Sequence, residues 1–144
     1  MKGSEYTLSY VLSTNTILDL STNALTGDIP ATIGKLRSLR LLNLSGNQLE
    51  GKIPTSLSNI SNLEQLDLSR NNLSGKIPQE LSTLSKLAFF NVSYNKLCRQ
   101  IPKGTQLDTF SAASFQKNKC LCCDQLPPCK DDNQLQPCNQ TCKS

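Results

Sequence analysis

The chain has 144 residues, with no histidine, no tryptophan and only 5% aromatic residues. Without histidine there is no imidazole base, no His-containing catalytic triad and no His metal ligand. No glycine-rich loop of the phosphate-binding or dinucleotide-binding kind is present. The residues therefore point to no cofactor and no enzymatic reaction. No apolar run approaches the ~20 residues that span a bilayer, and Met1-Lys2 is not followed by the ~7–15 apolar residues of a secretory leader. The sequence thus reads as a fragment whose route to a membrane runs through segments it does not contain. Cysteine is absent up to residue 97; Cys98, Cys120, Cys122, Cys123, Cys129, Cys138 and Cys142 all fall in the last third. Such clustering implies disulfides in an oxidising compartment or a metal site, and the spacing lacks the two well-separated C-x-x-C pairs of a zinc site.

What the chain does contain is repetition. Residues 63–86, LEQLDLSRNNLSGKIPQELSTLSK, are bracketed by near-copies of themselves. Asn23, Asn47, Asn71 and Asn95 recur at a spacing of 24, as do Ile29, Ile53, Ile77 and Ile101, each followed by Pro. A fixed period of 20–30 residues with Leu and Asn in set places marks a leucine-rich repeat, a solenoid in which each coil buries its apolar face against its neighbours. The expected class is α/β: a leucine-rich-repeat solenoid of 24-residue repeats with short parallel strands on a concave face. The expected organisation is a lead-in over residues 1–14, four repeats over 15–102, a Cys-rich cap over 103–129 and a tail over 130–144.

Each repeat explains itself physically. In L-x-x-L-x-L the period of two turns Leu42 and Leu44, or Leu66 and Leu68, inward from a short strand. The Asn that follows can bond peptide groups left unpaired where the backbone leaves the sheet, so its repetition predicts an Asn ladder. Gly27, Gly51 and Gly75 occupy a place where positive φ or a close approach is expected. The Ile-Pro pair ends the turn, and a helical turn such as residues 55–60 follows, with Leu57 and Ile60 facing the column. In the first repeat Leu18, Leu20 and Leu25 are expected to face solvent or a preceding segment.

Outward strand positions form the concave face of a solenoid and are the candidate contact residues. They include Asp19, Asn43, Gln65, Asp67, Arg70, Phe89, Asn91 and Tyr94. Asp19, Asn43, Asp67 and Asn91 share one register, which also fits a polar ladder that supports the turn; Phe89 and Tyr94 fit a contact patch. The net charge of +4 is spread along the chain, which argues against nucleic acid as a partner and for solvated faces. Five Asn-x-Ser/Thr sequons, at Asn43, Asn59, Asn72, Asn91 and Asn139, fit a secreted glycoprotein.

The repeat LDLSxNxLxGxIPxxLxxLxx is similar to the plant extracellular leucine-rich repeat. Residues 95–129, NKLCRQIPKGTQLDTFSAASFQKNKCLCCDQLPPC, resemble the end of the ectodomain in plant receptor-like proteins and leucine-rich-repeat receptor kinases. That resemblance implies a protein-interaction module at the extracellular side of the plasma membrane, with a co-receptor kinase ectodomain or a peptide or protein ligand as partner. It implies that Cys122 pairs with Cys129, and that Gln106 and Thr109, beside Leu107 and Phe110, help to capture the co-receptor. Leu107, Phe110 and Phe115 also fit a purely sealing role at the end of the leucine column. Arg99 stands where the repeat has Gly, and Lys117, Cys120 and Cys123 stand where the family's cap has Gly, so a cap looser than its relatives' is expected. Two alternatives stay open: an inhibitor of pathogen cell-wall-degrading enzymes acting through the same concave face, and a truncated receptor relic or decoy.

Overall fold

The computed structural model describes residues 16–122. Nine short strands form two parallel sheets. The first has the order β1 (Ile17–Asp19), β3 (Leu41–Asn43), β5 (Gln65–Asp67), β7 (Phe89–Asn91). The second has the order β2 (Thr26–Asp28), β4 (Gln48–Lys52), β6 (Asn72–Gly75), β8 (Lys96–Gln100), β9 (Cys120–Cys122). Each coil therefore passes through one strand of each sheet and returns through a short 3-10 turn, such as Thr55–Asn59 or Gln79–Thr83.

In the first sheet the register equals the repeat: Leu18, Leu42, Leu66 and Phe90 stack in one line. In the second sheet the partners lie 22 apart, as in Thr26 with Gln48 and Glu50 with Asn72, so its strands are staggered against the repeat. The sequence pattern predicts only a turn here. Segments such as Thr26-Gly27-Asp28 and Asn72-Leu73-Ser74-Gly75 carry no apolar alternation, and only the neighbouring coil supplies the hydrogen bonds that make them strands.

The core is a column of Leu and Ile. Leu42, Leu57, Ile60, Leu63, Leu66, Leu68, Leu73, Leu81 and Leu87 are all fully buried. Leu57 and Ile60 face the column as the sequence predicts, and the Ile60 N–H donates to the Leu57 carbonyl at 3.1 Å. The first coil differs from expectation: Leu18 is buried, while Leu20 and Leu25 are half-buried against the core. Among the described residues the first coil has one neighbour, and there Leu18 and Ile29 are buried while Leu20 and Leu25 stay partly exposed.

The Asn ladder is present. Asn71 Oδ1 accepts the Leu49 N–H at 3.0 Å, and its Nδ2 donates to the carbonyls of Leu44, Leu68 and Ser69. Asn47 and Asn95 repeat the pattern. Asn118, in the cap, makes a further rung: its Oδ1 accepts the Leu97 N–H at 2.9 Å and its Nδ2 reaches Val92 O and Phe115 O at 3.0 Å. Sequence reasoning missed it because it follows Asn95 by 23 residues, across a segment without the repeat consensus.

Gly27, Gly51 and Gly75 have φ of +83°, +79° and +77°, the left-handed conformation that a Cβ disfavours. Arg99, the next residue in that register, holds the same conformation at +79°, and Lys117 sits at +64°. Cys120 does not share this conformation, so that substitution carries no such cost. Cys123 lies outside the described residues.

Candidate functional site

The outward residues of the first sheet form three rows that cross the strands. Ile17, Leu41, Gln65 and Phe89 make the leading row, and Asp19, Asn43, Asp67 and Asn91 make the second. The third row precedes the ladder and contains Thr22, Gly46, Arg70 and Tyr94, all at positive φ.

The second row is largely structural. Asp19 Oδ1 accepts from both the N–H and the hydroxyl of Ser21, at 3.0 and 2.7 Å. Asn43 with Ser45, Asp67 with Ser69 and Asn91 with Ser93 repeat the arrangement. These bonds hold the carboxyl of Asp19 below the usual carboxylate range, the Ser21 hydroxyl first and its backbone N–H second. A side chain whose one oxygen fixes its own turn has less left to offer a partner.

The other rows are freer. Ile17 and Phe89 are the exposed large hydrophobics among the described residues, at 59% and 43%. The Arg70 guanidinium lies 4.1 Å from the centre of the Tyr94 ring, so the two candidate residues stack on each other and form one cationic, aromatic feature. Gln65, exposed, lies beside Phe89 in the adjoining strand. Near the edge, Arg40 Nε and Nη2 both reach Glu64 Oε2, an exposed pair one coil apart.

The cap closes the far end of the column. Leu107 and Phe115 are buried, and Phe110 packs half-buried against the core. The rings of Phe110 and Phe115 each stand 5.8 Å from that of Phe90, so the aromatic residues seal the solenoid. Gln106 Nε2 donates to the Leu87 carbonyl at 2.7 Å, and Thr109 Oγ1 donates to the Gln106 carbonyl at 2.6 Å. Both polar cap candidates thus brace the cap loop. Gln106 is half-buried and Thr109 exposed.

A disulfide joins Cys98 to Cys120, which face each other directly across β8 and β9. The sequence left this pair undetermined. The pairing of Cys122 with Cys129 falls outside the described residues, because Cys129 is not among them. Asn59 and Asn72 are exposed, Asn43 and Asn91 half-buried in the concave face, and Asn139 lies outside the described residues. Among the described residues no group of His, Cys, Asp or Glu is arranged to hold a metal ion, and no helix is long and apolar enough to cross a membrane.

Fold and surface together define a parallel solenoid built for contact along one face, the architecture of a leucine-rich-repeat protein. Family models agree: a leucine rich repeat model matches residues 53–97, and a second matches residues 16–36 and 38–60. The chain belongs to the leucine-rich repeat family, in the form that builds plant receptor ectodomains. It is similar to a chain in the crystal structure of the BIR3–SERK2 complex from Arabidopsis thaliana, with 42% identity over 78% of this chain and a TM-score of 0.71. It is also similar to the BIR2 ectodomain of the same plant, with 40% identity over 73% of this chain and a TM-score of 0.68. For the Arabidopsis receptor kinase HAESA, solved with the peptide hormone IDA and the co-receptor SERK1, identity is 38% over 85% of this chain and the TM-score is 0.73. The chain spans 59%, 55% and 20% of those three chains. No curated protein sequence gives a significant match.

Proposed function

We propose that this chain is a non-enzymatic protein-interaction module of a plant receptor-like protein, docking a co-receptor ectodomain or a peptide or protein ligand through its concave face and cap at the extracellular side of the plasma membrane. The observation that carries the reading is the exposed apolar and cationic surface at the C-terminal end of the concave sheet, where Phe89 and the Arg70–Tyr94 stack adjoin the cap. An exposed aromatic beside an arginine, with polar side chains around them, is the composition of an interface anchor. The solved relatives include complexes with co-receptors and peptide hormones, which is the kind of partner this surface fits.

Gln106 and Thr109 act in this reading partly through the cap loop that they brace, with the exposed Thr109 at its surface. Calorimetric titration of the secreted, folded chain against a SERK-type co-receptor ectodomain tests the proposal. Binding is expected for the parent and is expected to fall roughly thirtyfold or more in Phe89→Ala, the loss typical of an anchor residue. Absence of binding by folded monomer, or parent-like binding by Phe89→Ala, rejects concave-face docking of that partner.

A further inference from the structure

Asparagine plays two opposite parts in this solenoid. On a rung such as Asn71 or Asn95 the Nδ2 is consumed by three backbone carbonyls. The residue two places on is a buried leucine, Leu73 or Leu97, where a sequon would need a hydroxyl. The sequon asparagines within the described residues, Asn43, Asn59, Asn72 and Asn91, all lie off the ladder. Their Nδ2 atoms have no hydrogen-bond partner among the described residues, and in the half-buried Asn43 and Asn91 that nitrogen is not sealed from solvent.

At Asn91 the two ends of the amide are divided cleanly. Oδ1 accepts the Ser93 N–H at 2.9 Å and the Ser93 hydroxyl at 2.6 Å, so it fixes the turn, while Nδ2 is left over. An N-glycosidic bond replaces one hydrogen of Nδ2 and leaves Oδ1 an acceptor, so the fold can carry a sugar here without losing either bond. Asn43 is built alike, with Ser45 as its partner.

Position separates Asn91 from the other three. It stands in the second row of the fourth coil, between Phe89 in the leading row and Tyr94 in the third. Phe89 and Asn91 point from the same face of β7 and are about 7 Å apart along the strand. Across the sheet Asn91 adjoins Asp67, whose strand leads into Arg70, the residue stacked on Tyr94. The exposed patch of Phe89 and the Arg70–Tyr94 stack is therefore arranged around Asn91. Asn43 lies two coils away in the same row, Asn59 ends a 3-10 turn and Asn72 begins β6 in the other sheet.

We propose that Asn91 is an N-glycan acceptor and that its glycan, rising from the middle of the docking patch, sets how tightly the concave face holds its partner; the second half rests on the docking reading above. In the modification Nδ2 bonds to the anomeric carbon of an oligosaccharide carried on a lipid diphosphate. The bond from that carbon to the diphosphate breaks, the diphosphate leaves with its electron pair, and Nδ2 gives up one proton. A partner must then confine or displace a flexible, hydrated chain before it reaches Phe89.

The test expresses the full chain with an added secretion leader in a host that glycosylates asparagine, maps occupancy by peptide mass spectrometry, and titrates each form with a SERK-type co-receptor ectodomain. Glycan is expected on Asn91. Two variants remove the acceptor by different routes. Asn91→Asp keeps the Oδ1 that Asp19 and Asp67 use in the same row, and Ser93→Ala breaks the sequon without altering charge. Both are expected to bind roughly tenfold more tightly than the glycosylated parent, with circular dichroism checking the fold. Asn72→Gln, off the concave face, is expected to bind as the parent does. A secreted chain bare at Asn91, parent-like affinity in both variants, or equal tightening in Asn72→Gln overturns the inference while leaving docking intact. Absence of binding by every form, the bare variants included, overturns the docking reading and the control by glycan together.

Discussion

The inner coils and the cap reach the same hydrogen-bond pattern from different sequences. In the coil around Asn71 every element is the repeat consensus: two leucines inward, the Asn rung, Gly75 at positive φ, then Ile77-Pro78. The cap rebuilds the same frame with Phe115 in the column, Lys117 in the left-handed place before the rung, Asn118 as the rung and β9 against β8. Backbone bonds from the Val92 N–H to Ser114 O and from the Tyr94 N–H to Gln116 O complete it. The last coil leaves peptide groups that must be paired, and whatever sequence follows is shaped by that demand. Where consensus is missing, the cap substitutes aromatic packing and a disulfide.

The comparison can be broken at the joint. Phe90 touches both halves, since it lies in the column line of β7 and meets the rings of Phe110 and Phe115. Phe90→Ala is expected to cost about 3–5 kcal/mol, detected as a lowered denaturant midpoint. Loss of that order separates cap from coils; a cost near zero would mean that the cap stands apart.

Next comes the ladder. Asn71→Ala removes a side chain that bonds four backbone groups in two coils, and an expected cost of about 3 kcal/mol follows from leaving buried carbonyls unpaired. Asn118→Ala is expected to cost about half as much, because no further rung follows it among the described residues and its neighbourhood can open to water. Equal costs would show the cap to be as rigid as an inner coil, and hydrogen exchange at Leu97 and Leu49 would localise the effect.

The disulfide closes a loop of sequence separation 22, and Cys98→Ser/Cys120→Ser is expected to lose about 2–4 kcal/mol. Hydrogen exchange should accelerate in β8, β9 and the cap while β3 and β5 keep their protection. Uniform acceleration would contradict a staple that acts locally.

Smallest is the backbone effect. Arg99→Gly and Lys117→Gly relieve a side chain held at positive φ, and each is expected to stabilise by about 1 kcal/mol, with Gly75→Ala costing about as much in the opposite sense. A gain at Arg99 but not at Lys117 would single out the position where the repeat itself uses Gly. Asp19 adds a pH signature: its carboxyl is held low by Ser21, so the stabilisation it gives is present above the ordinary carboxylate pKa and is lost as pH falls through the lowered value.

Much of this was legible in the residues. A 24-residue period with Leu at alternate places admits one economical burial, so Leu66 and Leu68 had to turn inward and Asn71 had to serve their turn. The leucine column, the positive φ of Gly51 and Gly75, and the sealing role of Phe110 and Phe115 follow from local chemistry and spacing. The bracing of Gln106 on Leu87 O was not legible, because nothing in sequence ties residues 19 apart when the repeat is 24.

The sequence by itself thus determined the solenoid, its period and the direction each leucine faces, because those depend on periodicity and on groups within one coil. Tertiary structure decided what depends on how coils stack. The second sheet exists because neighbouring coils supply its hydrogen bonds. Asn118 becomes a rung because Leu97 and Val92 present unpaired groups to it, and Cys98 meets Cys120 because β8 and β9 pair in that register. The 22-residue stagger of the second sheet, unmarked in a 24-residue repeat, brings Lys52 and Lys96 onto one line with Ser74 between them, which only the stacking of coils can do.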